Sequence, residues 1–307
     1  MTTQELRRYL PRLQNRRIDD GWSDAALIAH ARILTNLYNL VVLNALDDEF
    51  GNREMYRAKL DTLYGILRRH YGYRASFAAK AEILDAMISV ASDGGLGIDE
   101  EKRAVNEHLA DELISSYLDG FDKDSYNPEE FFAVMRLLLI CMYGIVDEED
   151  EDPHPWITFV RTKLAGWAEE LNKDGYWQGI SEVEALQRLR LLEMNSCMFV
   201  DESYDKEIQQ GYVHYCVGRD LPDNLSGTHS PDTLHCYALQ YEFICQGSFN
   251  QWEHAGYLDR IIGVLERQIP RLPAESDEAL YYRSLVIENC CRNVSREFQK
   301  QLCGITA

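Results

Sequence analysis

The stretch GTHSPDTLHC carries the densest group of metal-binding and acid–base side chains in the sequence. Asp232 and His235 are three positions apart, so on the first turn of a helix they would share a face. Together with Cys197 or Cys245 they could bind zinc. The same residues also suit a capped helix start that contains a half-buried histidine. We predict no metal site, and we keep His229 and His235 as candidate ligand-binding residues.

The turn DGYWQ, at residues 174–178, combines two aromatic rings with two hydrogen-bonding side chains. Aromatic faces suit sugar rings or peptide side chains, and the polar groups would orient them. Other aromatic residues occupy comparable places before other predicted helices. The alternative is that these rings are hydrophobic staples that pack back on their own helices. The candidate ligand-binding residues of this kind are Trp22, Tyr73, Tyr126, Asp174, Tyr176, Trp177 and Gln178.

A charged residue recurs within four apolar helical segments, at Arg32, Glu82, Arg136 and Arg190. An isolated buried charge is costly, so buried members of this set should be paired, and Glu82 could lie between Arg32 and Arg136. In the functional interpretation, Arg136 and Arg190 form a positive lining that receives a carboxylate or a phosphate. In the other interpretation these residues form salt bridges between helices or a solvent-facing stripe. Both interpretations remain open at this point.

Several kinds of chemistry lack their sequence motifs: there is no GxSxG, no glycine-rich phosphate loop and no HExxH. The formal net charge of −20 would repel a phosphate backbone, which argues against a nucleic-acid partner. No uncharged apolar stretch reaches the roughly 18 residues of a membrane span. The eight cysteines form no CxxC and fit reduced thiols. We therefore expect a cytoplasmic protein without cofactor, nucleic-acid partner or membrane attachment, and its oligomeric state stays open.

The elements that would position these residues follow a repeat with spacings of 53, 51, 54, 49 and 46 residues. Each repeat has an aromatic or glycine-containing turn, a small polar N-cap and a long helix with apolar periodicity. The cap oxygen accepts a hydrogen bond from the unpaired amides of the first turn. Pro128 and Pro231 suit the first helical position, where a missing N–H costs nothing. The predicted caps are Ser23, Ser76, Asn127, Ser181, Ser230 and Ser276.

Between these inner helices lie partner helices with their own 3.6-residue apolar period, and no convincing strand is present. No linker rich in glycine, serine or proline divides the chain, so we predict one all-α domain of antiparallel helical hairpins over residues 1–307. A helix at residues 3–15 could pack beside the C-terminal hairpin and close the array. An open solenoid is the competing arrangement.

A helical pair of this length with a DG–aromatic turn, clearest in LNKDGYWQGISEVEALQRL, resembles the α/α-toroid folds. These include lanthionine cyclases, six-hairpin glycosidases and lyases, and terpene or prenyl cyclases. The resemblance covers nearly the whole chain and concerns architecture, so it implies a toroid without assigning its chemistry. Lanthionine cyclases bind zinc through an adjacent Cys–His pair and a further Cys, whereas His235–Cys236 here is in the reverse order. The acidic run 147–152 only loosely resembles the metal signature of terpene synthases.

Two classes of function remain. The first is a binding protein that accepts a peptide, glycan or partner segment at the end of the inner helices. The alternative is an α/α-toroid enzyme, either cyclase-like and peptide-modifying or carbohydrate-active. The missing motifs favour the binding protein. A deep pocket with two carboxylates or a tetrahedral Cys/His cluster would favour the enzyme.

Overall fold

A computed structural model describes much of the chain, and all regular secondary structure in the described part is helical. The described residues are 17–43, 45, 51–92, 99–125, 127–141, 155–174, 177–199, 205–212, 214–215, 229–246 and 254–302. Four predictions lie outside these residues: the helix at 3–15, the acidic run at 147–152, and the binding roles of Tyr126 and Tyr176. For Asp174 the backbone is helical, and its side chain is not among the described ones.

Eleven α-helices occupy the described part of the chain, and the odd-numbered ones are the predicted inner helices. They are α1 (Asp24–Val42), α2 (Arg53–Tyr73), α3 (Phe77–Ala91), α4 (Glu100–Asp119), α5 (Pro128–Cys141), α6 (Pro155–Asp174), α7 (Glu182–Phe199), α8 (Asp205–Tyr212), α9 (Pro231–Gln246), α10 (Ala255–Gln268) and α11 (Asp277–Leu302). A short 3₁₀ turn, Ile269–Arg271, continues from the end of α10.

Each of the six inner helices begins at the residue after its predicted N-cap. In four of them the serine hydroxyl accepts a hydrogen bond from an amide of the first turn, at 3.2 to 3.3 Å. Ser76 makes no such side-chain bond, although its carbonyl still accepts from Lys80. Capping is a local interaction, which is why the starts of these helices were predictable from spacing alone.

The chain divides into two compact units. Unit 1 comprises Met1–Asp111 and Leu265–Ala307, and unit 2 comprises Glu112–Val264. The prediction of a single domain therefore stays a prediction. In unit 1, α1 packs against α2, α3 and α11, so the first and last inner helices are neighbours. In unit 2, α7 packs against α5, α6, α8 and α9.

Helix α1 is apolar enough, with a mean hydropathy of 1.3, to pass a length and composition test for a membrane span. It is the one helix in the described part of the chain that does so. Within its apolar window 67% of the residues are buried inside the protein, against α2, α3 and α11. A core helix with neighbours on several sides needs this composition, so packing accounts for it.

Candidate functional site

A cavity of about 320 Å³ opens in unit 2 beside the N-terminal end of α7. Its lining combines the turn that precedes α7 with two residues that follow α8. The cavity therefore includes part of the aromatic turn singled out in the sequence. The lining residues are Trp177, Gln178, Gly179, Ile180, Glu182, His214 and Tyr215.

The local sequence explains why the chain turns sharply just before α7. Ser181 caps α7 by accepting the Glu184 amide at 3.2 Å, which fixes where the helix begins. Two residues earlier, Gly179 has a φ of +78°, a backbone conformation that side chains with a Cβ rarely adopt. The chain can therefore turn sharply between Trp177 and Ser181. This turn places Gln178, which is exposed, at the rim of the cavity.

Trp177 is buried and held by three polar contacts. Its indole Nε1 donates to the Trp167 carbonyl at 2.9 Å, and its amide donates to the Tyr215 hydroxyl at 3.1 Å. The same hydroxyl donates back to the Trp177 carbonyl at 3.3 Å. Tyr215 is itself tied to α9, because Gln240 donates to its carbonyl at 2.9 Å. The wall of the cavity is thus rigidly anchored to two helices.

The Trp177 indole already has an aromatic and a cationic neighbour. Tyr215 stacks on it, with 6.1 Å between ring centroids and 24° between planes. The Arg188 guanidinium lies over the same indole at 5.8 Å and over Trp167 at 5.0 Å. Trp167 in turn stacks on Phe132 at 6.4 Å. Trp177 therefore lines the cavity as a ring that is held in place by stacked and cationic neighbours.

The charged groups around the cavity are placed by the first two turns of α7. Arg188 pairs with Glu184, one helical turn before it, at 2.6 Å. Glu182 contributes a carboxylate to the lining at the first helical position, where the helix dipole stabilises a negative charge. His214, which also lines the cavity, meets Tyr215 edge-on, with ring centroids 4.7 Å apart. The lining therefore combines two aromatic residues with a glutamate, a histidine and a glutamine.

Two of the other aromatic candidates lie in unit 1 and differ from each other. Trp22 packs against its own helix, beside Ala26 and Ala29, and meets His30 edge-on at 4.7 Å. Trp22 also packs against Leu280 of α11. Tyr73, at the end of α2, is 76% exposed. Neither residue lines the cavity, although their roles as binding residues remain predictions.

Two of the four recurring charged positions form ion pairs with residues that the repeat did not single out. In unit 1, Arg32 Nε lies 3.6 Å from the buried Glu288 of α11. In unit 2, Arg190 lies 3.7 Å from the buried Glu242 of α9. Glu82 is exposed on α3. Salt bridges between helices, one of the two interpretations drawn from the sequence, thus describe Arg32 and Arg190, and Arg136 is half-buried on α5.

The histidine-rich stretch begins α9. His229 precedes the helix and meets Tyr237 edge-on at 5.9 Å, and His235 is half-buried. Within the described part of the chain, no three His, Cys, Asp or Glu side chains are placed to hold a metal ion. Cys197, one of the proposed partners, has no described side chain.

Two of the seven lining residues, Trp177 and Gln178, were candidates from the sequence. The other five were not: Gly179, Ile180, Glu182, His214 and Tyr215. Glu182 carried a usable signal, since an acid directly after a cap lies at the end of an inner helix. His214 and Tyr215 carried none, because only the packing of α8 against α6 and α7 brings them there.

No family model matches this chain, and no curated protein and no solved structure matches it either. Its function is therefore inferred from its own residues.

Proposed function

We propose that this protein is a binding protein whose cavity at the start of α7 accepts a basic side chain from a peptide or a partner protein. The observation that carries the proposal is the composition of the cavity, whose lining combines the aromatic residues Trp177 and Tyr215 with the acidic residue Glu182. A lysine or arginine has an aliphatic stem for the aromatic wall and a charged head for the carboxylate.

The burial of Trp177 favours a peptide over a glycan. A sugar ring packs on an open aromatic face, whereas Trp177 is buried and already stacks on Tyr215. A side chain needs only a narrow slot with convergent polar groups. A volume of about 320 Å³ is enough for one such side chain.

The charge of the whole chain supports a cationic partner. With 51 acidic and 31 basic residues, the protein attracts positive segments over a distance and speeds their encounter. The enzyme alternative has less support, because the described lining holds a single carboxylate, where glycosidases use a pair.

We also propose that the inner helices form a closed α/α toroid and that the protein works in the cytoplasm. Support for the toroid is the side-by-side packing of α1 and α11 in unit 1. Support for the cytoplasm is that Cys236, Cys245, Cys290 and Cys291 are buried free thiols. Burial, with the neighbouring Cys290 and Glu288, raises the pKa of Cys291 well above its ordinary value, so this thiol stays protonated.

Calorimetric titration with short capped peptides that differ only at a central residue tests the binding proposal. We expect peptides with a central lysine or arginine to bind, and peptides with a central glutamate to show no binding. Glu182→Gln should weaken binding of the basic peptides about tenfold, because a charge-assisted hydrogen bond is lost. Asp232→Asn is the matched control, since it removes an exposed first-turn acid of α9 that lies outside the cavity. Equal binding by wild type and Glu182→Gln would exclude the proposed site.

A further inference from the structure

Polar side chains form one stripe on α1 and another on α11, and we call the two together the polar seam. On α1 the steps of three and four residues put the stripe on one face, and on α11 steps of four do the same. Helix α1 is otherwise largely buried and apolar, whereas α11 also carries the buried polar residues Ser284, Asn289 and Asn293. The polar seam consists of Arg32, Thr35, Asn39, Glu288, Arg292 and Arg296.

The two stripes lie side by side because α1 and α11 are parallel neighbours. At their starts, the Ser23 hydroxyl donates to Asp277 at 3.2 Å, and further along Arg32 meets Glu288 at 3.6 Å. With a rise of about 1.5 Å per residue, the next members of the α1 stripe lie about 4.5 and 10.5 Å beyond Arg32. Those of the α11 stripe lie about 6 and 12 Å beyond Glu288. Along the common direction of the two helices, the polar residues of α1 therefore alternate with those of α11.

Charge in the polar seam is mostly positive. Arg292 donates to the Glu288 carboxylate at 2.9 and 3.1 Å, so Glu288 is held between two guanidiniums. The Glu288 side chain is only 9% exposed, whereas those of Arg32 and Arg292 are 23% and 31% exposed. Arg32 is further positioned over the Tyr281 ring, at 5.6 Å. The carboxylate thus orients two guanidiniums that remain reachable from solvent.

Three members of the polar seam hold buried polar atoms that have no hydrogen-bond partner within the described structure: Thr35 Oγ1, Asn39 Oδ1 and Arg296 Nε. A buried polar atom without a partner is costly, so native proteins fill such places with water, an ion or a ligand. The Thr35 hydroxyl and the Arg296 guanidinium can donate hydrogen bonds. The Asn39 amide also donates toward the same place when a 180° rotation exchanges its oxygen and nitrogen. An acceptor with several oxygens could serve all three groups at once.

We propose that the polar seam is an anion-binding site for a small molecule that carries a carboxylate or a phosphate group. The guanidiniums of Arg32, Arg292 and Arg296 supply charge, and Thr35 and Asn39 supply directional hydrogen bonds. Guanidinium groups match both anions because their N–H groups lie in a plane and bind two oxygens at once. All residues of this site belong to unit 1, whereas the residues that line the cavity belong to unit 2.

Titration of the full-length protein with inorganic phosphate and with succinate, at constant ionic strength, tests the proposal. Calorimetry should show saturable binding of at least one of the two anions, and the tighter one identifies the group that the site prefers. Thr35→Val keeps every charge and removes one donor, so it should weaken binding by about fivefold to tenfold. Arg296→Gln should weaken binding to a similar extent.

Arg190→Gln is the matched control for this site. Arg190 also lies nine residues after its cap and pairs with a buried glutamate, but it belongs to unit 2. It should leave anion binding unchanged. The proposal is overturned if neither anion binds, which would mean that water alone fills the polar seam. It is equally overturned if Thr35→Val and Arg296→Gln bind as the wild type does, or if Arg190→Gln removes binding.

Discussion

Trp177 illustrates how one residue serves both packing and binding. From the sequence, a tryptophan ahead of a helix cap suited either a binding surface or a staple. In the structure the ring stacks on Tyr215 and has the Arg188 guanidinium nearby, and Trp177 also lines the cavity. The packing fixes the ring, and a fixed ring forms a well-defined wall. The two interpretations are therefore compatible at this position.

Asp24, the first residue of α1, shows how one carboxylate can hold two helices together. Its carboxylate accepts from His70 Nδ1 at 2.8 Å and from the Arg74 guanidinium at 2.7 Å. Partial burial acts to raise the pKa of Asp24, but the hydrogen bonds and charges of Arg74 and His70 outweigh it and lower this pKa below its ordinary value of 3.8. The ionised carboxylate therefore ties α1 to the end of α2.

Asp24→Asn should destabilise the protein by about 1 kcal/mol at neutral pH, because charge-assisted hydrogen bonds are lost. A carboxyl group whose pKa is lowered by folding adds stability above its unfolded pKa, and this stability is lost as pH falls through the folded pKa. The difference between wild type and variant should therefore shrink below about pH 3.8. Urea unfolding at a series of pH values measures it. Glu54→Gln, an exposed first-turn acid of α2, is the control, and an equal effect of both variants would contradict the assignment.

At the scale of the element, α7 is central to unit 2, and α8 is the short helix that brings His214 and Tyr215 to the cavity. Gly211 makes this possible. A Cβ at this position would overlap the buried side chain of Leu189 on α7 and lie 3.0 Å from that of Leu171 on α6. The missing side chain lets α8 approach both helices closely.

Gly211→Ala should destabilise the protein by about 1–3 kcal/mol, because the added methyl group overpacks a filled core. Gly166→Ala in α6 is the matched control. A Cβ at Gly166 meets nothing within 4 Å, so this variant should gain about 0.5–1 kcal/mol from its helix propensity. Thermal unfolding of the two variants measures both effects. A stabilising Gly211→Ala would show that α8 does not pack closely against α6 and α7.

At the scale of the whole molecule, the contact between α1 and α11 joins the first and last inner helices within one unit. A repeat array that closes in this way covers the apolar flanks that an open array leaves bare. The proposed toroid therefore predicts that the original ends of the chain can be joined.

A circular permutant tests this arrangement. New ends would be placed in the exposed loop 122–125, and the original ends joined by ten Gly and Ser residues, which span about 17 Å. We expect the permutant to keep its helical circular dichroism and to unfold cooperatively. The same chain cut in the loop without the linker is the control. A permutant that fails to fold while the unlinked control folds would favour the open solenoid.

Sequence alone determined the helices of this protein, since capping and apolar periodicity act between residues a few positions apart. Ser23, Ser181 and Ser276 each mark a helix start without any knowledge of the fold. The sequence also pointed to the turn at Trp177, because aromatic and polar side chains were adjacent there.

Tertiary structure decided which of these residues meet. Glu288 completes the ion pair of Arg32, and Tyr215 completes the wall beside Trp177, although each partner lies far along the chain. No local pattern selects Glu288 over the other 50 acidic residues as the partner of Arg32, because acidic residues at many helix positions satisfy the same local pattern. The selection comes from helix packing: burial of apolar faces sets which helices become neighbours, and the polar side chains then pair across the contacts that result.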